Sequence, residues 1–409
     1  MSFGTGNGKA LLVTALSIAA ALFGCTSNPD APVLVNHAPE IHSLALGGGR
    51  PVIGAGMSIS ISVSTSDIDG DALSYLWEPE GQFSGSGPQV TWNVPNAFET
   101  VNVKCTVSDG EFEDSASRNV EVGRILVPGD VGEPSGGQLH WDGGGAPFYI
   151  LRGEVEIAEE TELVIDGGTT FWCDSGSKLT LRGGFRVEGT SYDTDTAFFK
   201  AWSSDGSSHD FWKGIFVNSP EMAIDIQGLY LKNAEYGLDL NLGTSQTLDL
   251  RSSKFERCDV GLGAQFIEVV GEGLSFEECG VGLLAASLDT LLLTGCSFSN
   301  FEEYGFRVSS SEGSCTGALF SGDKPAAFFS PGSDITCTGN VFRIESPVNF
   351  LVFGEDFGSQ TLDFRCNYWG DGLDTPAHIW LRIDRPGGQP DLLLEPIADS
   401  EFESCDLRP

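Results

Sequence analysis

Positive charge is scarce in this 409-residue chain: 22 Lys and Arg stand against 58 Asp and Glu, for a formal net charge of −36. Such a surface repels a bare phosphate backbone, so nucleic acid is excluded as a partner. There is no Cys-x-x-Cys pair, which argues against a zinc centre. No segment sustains a 3.6-residue apolar period, so no helical domain is expected. The N-terminal apolar run, Ala10 to Phe23, is too short and too Ala-rich to read as a membrane span. The five histidines include His140, His209 and His378 near or within the repeat region described below, and none has a partner at a spacing that suits acid–base chemistry. What the chain does have is 53 glycines, which suit turn-rich β structure in two or three domains.

The organising stretch runs from Gly228 to Val308, where one phrase recurs four times: an apolar residue, a small or apolar one three on, and a glycine six or seven on. The copies are Leu231/Ala234/Gly237/Leu238, Phe255/Cys258/Gly261/Leu262, Phe276/Cys279/Gly282/Leu283 and Phe298/Phe301/Gly305/Phe306. Their lead residues are 24, 21 and 22 positions apart, and Phe320 and Phe342 extend the beat by 22 each. A period near 22 marks a solenoid. Between the leads lie short apolar runs, such as Leu291-Leu-Leu-Thr, bounded by Gly, Ser, Asn or Asp. Short strands with tight turns fit that length, whereas two packed helices need more. The expected fold class is therefore all-β, with a parallel β-helix whose coils rise about 4.8 Å each. Its repeated Phe and Leu form core ladders, and about 250 residues at this period predict about ten coils.

Residues 1–24 read as an export signal, followed by Leu22-Phe23-Gly24-Cys25 at its end. This resembles the lipobox of bacterial lipoproteins, which implies cleavage before Cys25 and lipidation of its sulfur. Thr26, in place of an Asp, resembles the outer-membrane sorting state. Residues 25–40 contain Pro29, Pro32 and Pro39 and read as an extended tether. Residues 41–122 alternate polar and apolar positions in Ser58-Ile-Ser-Ile-Ser-Val-Ser and Val101-Asn-Val-Lys-Cys-Thr-Val107, as short strands of an immunoglobulin-like sandwich do. Asp67-Ile-Asp-Gly-Asp-Ala-Leu-Ser-Tyr-Leu-Trp77, Val90-Thr-Trp92 and Val107-Ser-Asp-Gly110 resemble a bacterial PKD or cadherin-like module. That resemblance implies a spacer or adhesive unit. Asp67, Asp69 and Asp71 are candidate Ca²⁺ ligands; the competing reading is an Asx turn whose carboxylates cap backbone N–H groups.

Residues 123–147 are Gly-rich and aperiodic, and read as a linker and the start of a helix cap; residues 148–405 form the helix. Phe148-Tyr-Ile-Leu-Arg-Gly-Glu-Val-Glu-Ile, Leu163-Val-Ile-Asp-Gly-Gly-Thr, Leu179-Thr-Leu-Arg-Gly-Gly and Trp212-Lys-Gly-Ile215 resemble the first coils of surface β-helix proteins related in fold to pectate lyases. The resemblance implies a right-handed helix. Cys366-Asn-Tyr-Trp-Gly370 resembles the Asn-aromatic-Trp-Gly element that closes such helices. Elements of pectin-type hydrolases (Asn-Thr-Asp, Asp-Asp, Gly-His-Gly) are absent, and no catalytic residue is assigned.

Glu256 and Glu277 stack one coil apart, about 5 Å, the separation of a retaining glycosidase pair. Arg257 and Glu278, offset by the same interval, favour a surface charge lattice instead. Trp202, His209 and Trp212 flank the most loop-like insertion of the early coils and are candidate sugar-stacking residues, with structural packing as the competing reading. Of ten cysteines, nine remain after lipidation of Cys25, so at least one is unpaired within the chain. Cys258/Cys279 and Cys315/Cys337 face each other across one coil step, as disulfides or as buried thiol ladders. The functional expectation is a lipid-anchored, non-catalytic surface protein that presents its helix to glycan or protein; the alternative is a polysaccharide lyase or glycoside hydrolase.

Overall fold

Each coil is built from three short strands, because three left-handed corners bend the chain back on itself. Gly228, Ser252, Gly273, Gly295, Gly317 and Gly339 occupy one corner, Asn233, Arg257, Glu278 and Asn300 the next, and Phe266, Ser287, Ser310 and Gly332 the third, all with positive φ. A single αL residue turns an extended chain sharply without a loop. The computed structural model describes residues 35–47, 52–191, 193, 195–202, 211–218, 224–241, 246–330, 332–344, 350–354, 361–369, 379–383 and 391–393, and their regular structure is entirely β. From residue 124 onward the strands stack in parallel register into three sheets. The result is a right-handed parallel β-solenoid of about nine turns. The estimate of about ten is corrected because the early coils are long: Phe171 to Phe199 takes 28 residues and Phe199 to Leu231 takes 32.

The lead residues of the repeat form one continuous ladder. Tyr149, Phe171, Phe199, Leu231, Phe255, Phe276, Phe298, Phe320 and Phe342 are register partners in turn. From Phe255 the rings stack face to face at 5.1, 4.8, 4.7 and 4.9 Å, with interplanar angles of 8°, 8°, 2° and 12°. Trp369 ends the stack 4.8 Å from Phe342. Each contact contributes about 0.5–1.5 kcal/mol beyond the burial of its area. The glycine of the phrase follows from the ring: a Cβ at Gly261 would lie 2.6 Å from the Gly282 carbonyl oxygen and 2.8 Å from the Phe276 ring. The same approach recurs at Gly237, Gly282 and Gly305.

The cysteines complete the core. Cys105, Cys173, Cys258, Cys279, Cys296, Cys315 and Cys337 are buried free thiols, so the ladder reading holds over the bridge reading. Cys279 Sγ sits 3.5 Å from the Phe255 carbonyl oxygen of the previous coil. Cys366 is disulfide-bonded, to a partner outside the described residues. Beside it, buried Asn367 accepts from Asn340 N–H at 2.8 Å and donates to the carbonyls of Cys337 (2.6 Å) and Phe364 (2.7 Å). The Asn saturates corner backbone and the Trp ends the ring stack, while the other two sheets each gain a further strand, Ile379–Ile383 and Asp391–Leu393.

Residues 40–122 form two antiparallel layers. One contains Glu40–Leu46, Ser58–Ser66, Gln89–Asn93 and Phe83–Ser84; the other contains Ser74–Glu78, Thr100–Ser108 and Glu113–Leu126. Alternate residues of both layers, with Trp77 and Trp92, enclose one apolar core. The Glu113–Leu126 strand does not stop at the layer's edge. Its first part pairs antiparallel with Thr100–Ser108, and Arg124–Leu126 pair in parallel with Tyr149–Leu151. One sheet thus runs from the N-terminal layers into the helix. The Gly-rich segment, read from sequence as a linker and the start of a helix cap, supplies rungs here, since Gln138–Trp141 also pairs with Glu162–Ile165. Its first glycine serves close approach: a Cβ on Gly123 would fall 2.1 Å from the Phe148 ring, and one on Gly54 would fall 2.5 Å from Ile125.

Two substitutions test these ladders by chemical denaturation of the whole chain. Phe298→Ala should cost about 3–5 kcal/mol, the range for emptying a buried aromatic site. Gly123→Ala should cost about 1–3 kcal/mol by overpacking against Phe148. An unfolding midpoint unchanged by Gly123→Ala would show that the two bodies do not press together there.

Candidate functional site

The acidic turn follows the Ser58–Ser66 strand. Asp67 Oδ1 accepts the backbone N–H groups of Asp69 (2.9 Å) and Asp71 (3.1 Å), the Asx arrangement expected of an Asp-x-Asp-Gly-Asp turn. One carboxylate oxygen from each of the three residues lies within 4.8 Å of the others. His37 donates its backbone N–H to Asp69 Oδ2 at 2.7 Å, and its Nδ1 lies 2.9 Å from the same oxygen. The backbone hydrogen bond first, then the side-chain one, hold the Asp69 carboxyl below its ordinary range. Three such oxygens are about half of the six to eight that Ca²⁺ takes. The turn suits at most a weak, water-completed ion. Accordingly, a chelator should leave the melting temperature of the whole protein unchanged; a drop that Asp69→Asn abolishes would establish a Ca²⁺ site instead.

The candidate sugar-stacking residues separate. Trp212 lies inside the helix, 0% exposed, with its ring 6.0 Å from Phe199 and its Nε1 donating to the Lys232 carbonyl at 2.9 Å. Its burial leaves no face for a ligand, and the short Phe211-Trp212 run has no alternation long enough to assign a side from sequence. Trp202 lies outside the coil but is only 7% exposed, packed with Phe148 and Ile150 under the Arg152 guanidinium. His209 lies outside the described residues, as does Cys25.

A cluster of which sequence reasoning singled out only Glu256 and Glu277 occupies the outer side of the phenylalanine sheet. Alternation turns Trp172, Phe198, Lys200, Tyr230, Lys232, Lys254, Glu256 and Glu277 outward while their neighbours enter the core. Phe198 and Tyr230 are register partners with rings 4.4 Å apart. Glu256, 12% exposed, receives hydrogen bonds from Lys232 and Tyr230 and an ion pair from Lys254 at 3.1 Å; Lys254 also reaches Glu277 at 2.6 Å. Burial works against ionising Glu256, yet the hydrogen bonds from Lys232, Tyr230 and Lys254 outweigh it and hold the carboxyl down at about 2. The next column carries the Arg257–Glu278 pair at 2.5 Å. Glu256 and Glu277 therefore stand in a charge lattice, as the offset Arg257 and Glu278 suggested.

Lys200 differs from its neighbours. Its ammonium lies 4.0 Å over the Trp172 ring and 4.6 Å over Phe198, and no carboxylate pairs with it among the described residues. Burial, and then the Lys232 ammonium, lower its pKa. The sequence signal for the rest of this cluster was alternation within short strands, which identifies an outward row only once the register is known.

No family model matches the chain, and no curated protein matches it. The class that the fold defines is the parallel β-solenoid.

The Glu256 cluster has a pH signature. Its folded pKa of about 2 lies below the value of about 4.3 expected in the unfolded chain, so its stabilisation is complete above that value and is lost as pH falls through about 2. Glu256→Gln should flatten the pH dependence of unfolding across this acid window, removing a term on the order of 2 kcal/mol after allowance for residual solvent. Identical acid titrations of the unfolding midpoint in both proteins would contradict this assignment.

Proposed function

We propose that this is an exported bacterial lipoprotein, anchored through Cys25 at the outer membrane or cell surface, whose helix is a non-catalytic binding or structural module for glycan or protein. The Leu22–Cys25 resemblance supports the anchor, and two or more acyl chains suffice for stable attachment. The two antiparallel layers, with Trp77 and Trp92 in a shared core, support an immunoglobulin-like sandwich of the PKD or cadherin type acting as spacer. The observation that carries the non-catalytic reading is the state of Glu256 and Glu277. This glycosidase-spaced pair is engaged by Lys254, and the depressed pKa of Glu256 is the reverse of what a general acid needs. Fold alone does not establish activity.

Two measurements test the reading. Cys25→Ser should move the protein from the membrane fraction to the soluble one, and unchanged retention would sink the anchor. Purified protein incubated with acidic and neutral polysaccharides, with and without Ca²⁺, should release no new chain ends. Specific cleavage would replace the binding reading with a lyase or hydrolase.

A further inference from the structure

One end of the antiparallel layers carries an apolar tip. Glu40 is the register partner of Ser66, and Ser108 is the partner of both Ser74 and Glu113, so the chain's entry, the turn at 67–73 and the turn at 109–112 lie at the same end. Hydrogen bonds tie the three together: His37 N–H donates to Asp69 at 2.7 Å, and Asn36 Nδ2 donates to Asp109 at 3.2 Å and to Glu111 at 3.3 Å. On this bonded frame Val35 is 62% exposed, Ile68 80% and Phe112 41%, three of the seven large apolar side chains exposed among the described residues. Single exposed apolar residues are ordinary, whereas three on adjoining segments make a surface. The acidic turn does not require one, since its Asx bonds use Asp67 Oδ1 and backbone N–H groups and nothing from Ile68.

Topology indicates what this tip meets. Cys25 and Val35 are ten positions apart, so the proposed lipid-bearing sulfur stays within about 36 Å of the tip. The solenoid lies the other way: the 14-residue strand Glu113–Leu126 starts at this end and runs roughly 40 Å before its last residues pair with the first coil. An anchored molecule therefore holds its apolar end near the bilayer. Charge selects the kind of bilayer. Asp67, Asp69, Asp71, Asp109 and Glu111 belong to the same turns, on a chain of net charge −36, so an anionic leaflet is repelled. The ammonium of a zwitterionic headgroup complements them instead.

We propose that Val35, Ile68 and Phe112 form a membrane-docking tip that enters the headgroup boundary of a zwitterionic bilayer and directs the solenoid away from it. This rests on the anchor in the proposed function and adds the surface that orients the anchored protein. Three side chains bury too little apolar area to hold a free protein on lipid; the anchor supplies the effective concentration that makes their contact persist.

The test uses the lipidated protein reconstituted into zwitterionic vesicles in the presence of a chelator. The described free thiols are buried, so a polarity-sensitive fluorophore can be placed on Ile68→Cys and, as a control, on Leu292→Cys, an exposed apolar site on the solenoid. The probe at 68 should shift to the blue and be quenched by nitroxide-bearing lipid, while the probe at 292 stays solvent-like. Exchanging part of the lipid for an anionic one should weaken both signals. Ile68→Ser combined with Phe112→Ser should lower the docked-to-free ratio of a Val35→Cys probe at least tenfold, with unchanged melting temperature because both side chains are exposed. Equal quenching at 68 and 292, quenching at neither, or docking that requires Ca²⁺ and anionic lipid would overturn the tip while Cys25→Ser fractionation still upheld the anchor. Unchanged membrane retention of Cys25→Ser would remove the anchor, and this proposal with it.

Discussion

Parallel, in-register stacking is the constraint on which the rest of this molecule depends. With each coil roughly 4.8 Å above the last, a side chain's nearest neighbour is its counterpart one repeat on. Identical residues are then selected by contact with themselves. The phenylalanine ladder is the clearest consequence: its rings stay nearly parallel through five coils, and the glycine row exists because each ring edge occupies the space where a Cβ would be. The same rule makes a column of thiols from Cys315 and Cys337, which are direct register partners.

Stacking by itself leaves two open ends. At the C-terminal end of the described ladder, Asn340 and Asn367 take up corner backbone groups and Trp369 ends the ring stack. At the N-terminal end the solution is different, since the Glu113–Leu126 strand carries the sheet onward into the antiparallel layers. An open sheet edge is thereby paired instead of exposed. The junction is close enough that Gly54 and Gly123 tolerate no side chain, and it creates the cleft beside Trp172.

Electrostatics divides the surface further. Ladders of like charge are costly in a stacked fold, and the chain offsets this by alternating sign between coils, as in Lys254 beside Glu277 and Arg257 beside Glu278. Asp225 and Asp249 are handled together by Arg251. Against this pattern of local neutralisation, Lys178, Lys200 and Arg307 lie over aromatic rings instead.

Much of the solenoid was legible from sequence because its contacts are translations of the chain by about 22 residues. A regular period maps Phe276 onto Phe298 without any knowledge of the third dimension, and it distinguished the charge lattice at Glu256 and Glu277 from an acid pair. The mapping fails where the interval changes. Across the insertions between Phe171 and Leu231, nothing local indicates that Trp212 turns inward while Trp172 and Lys200 turn outward beside Phe198. Nor does a Gly-rich, aperiodic stretch declare whether its glycines loosen a linker or let two surfaces touch. Local spacing determined the coil and its ladders. The joining strand, the face given to each aromatic and the cleft came only from tertiary structure, because they rest on contacts between segments that share no period.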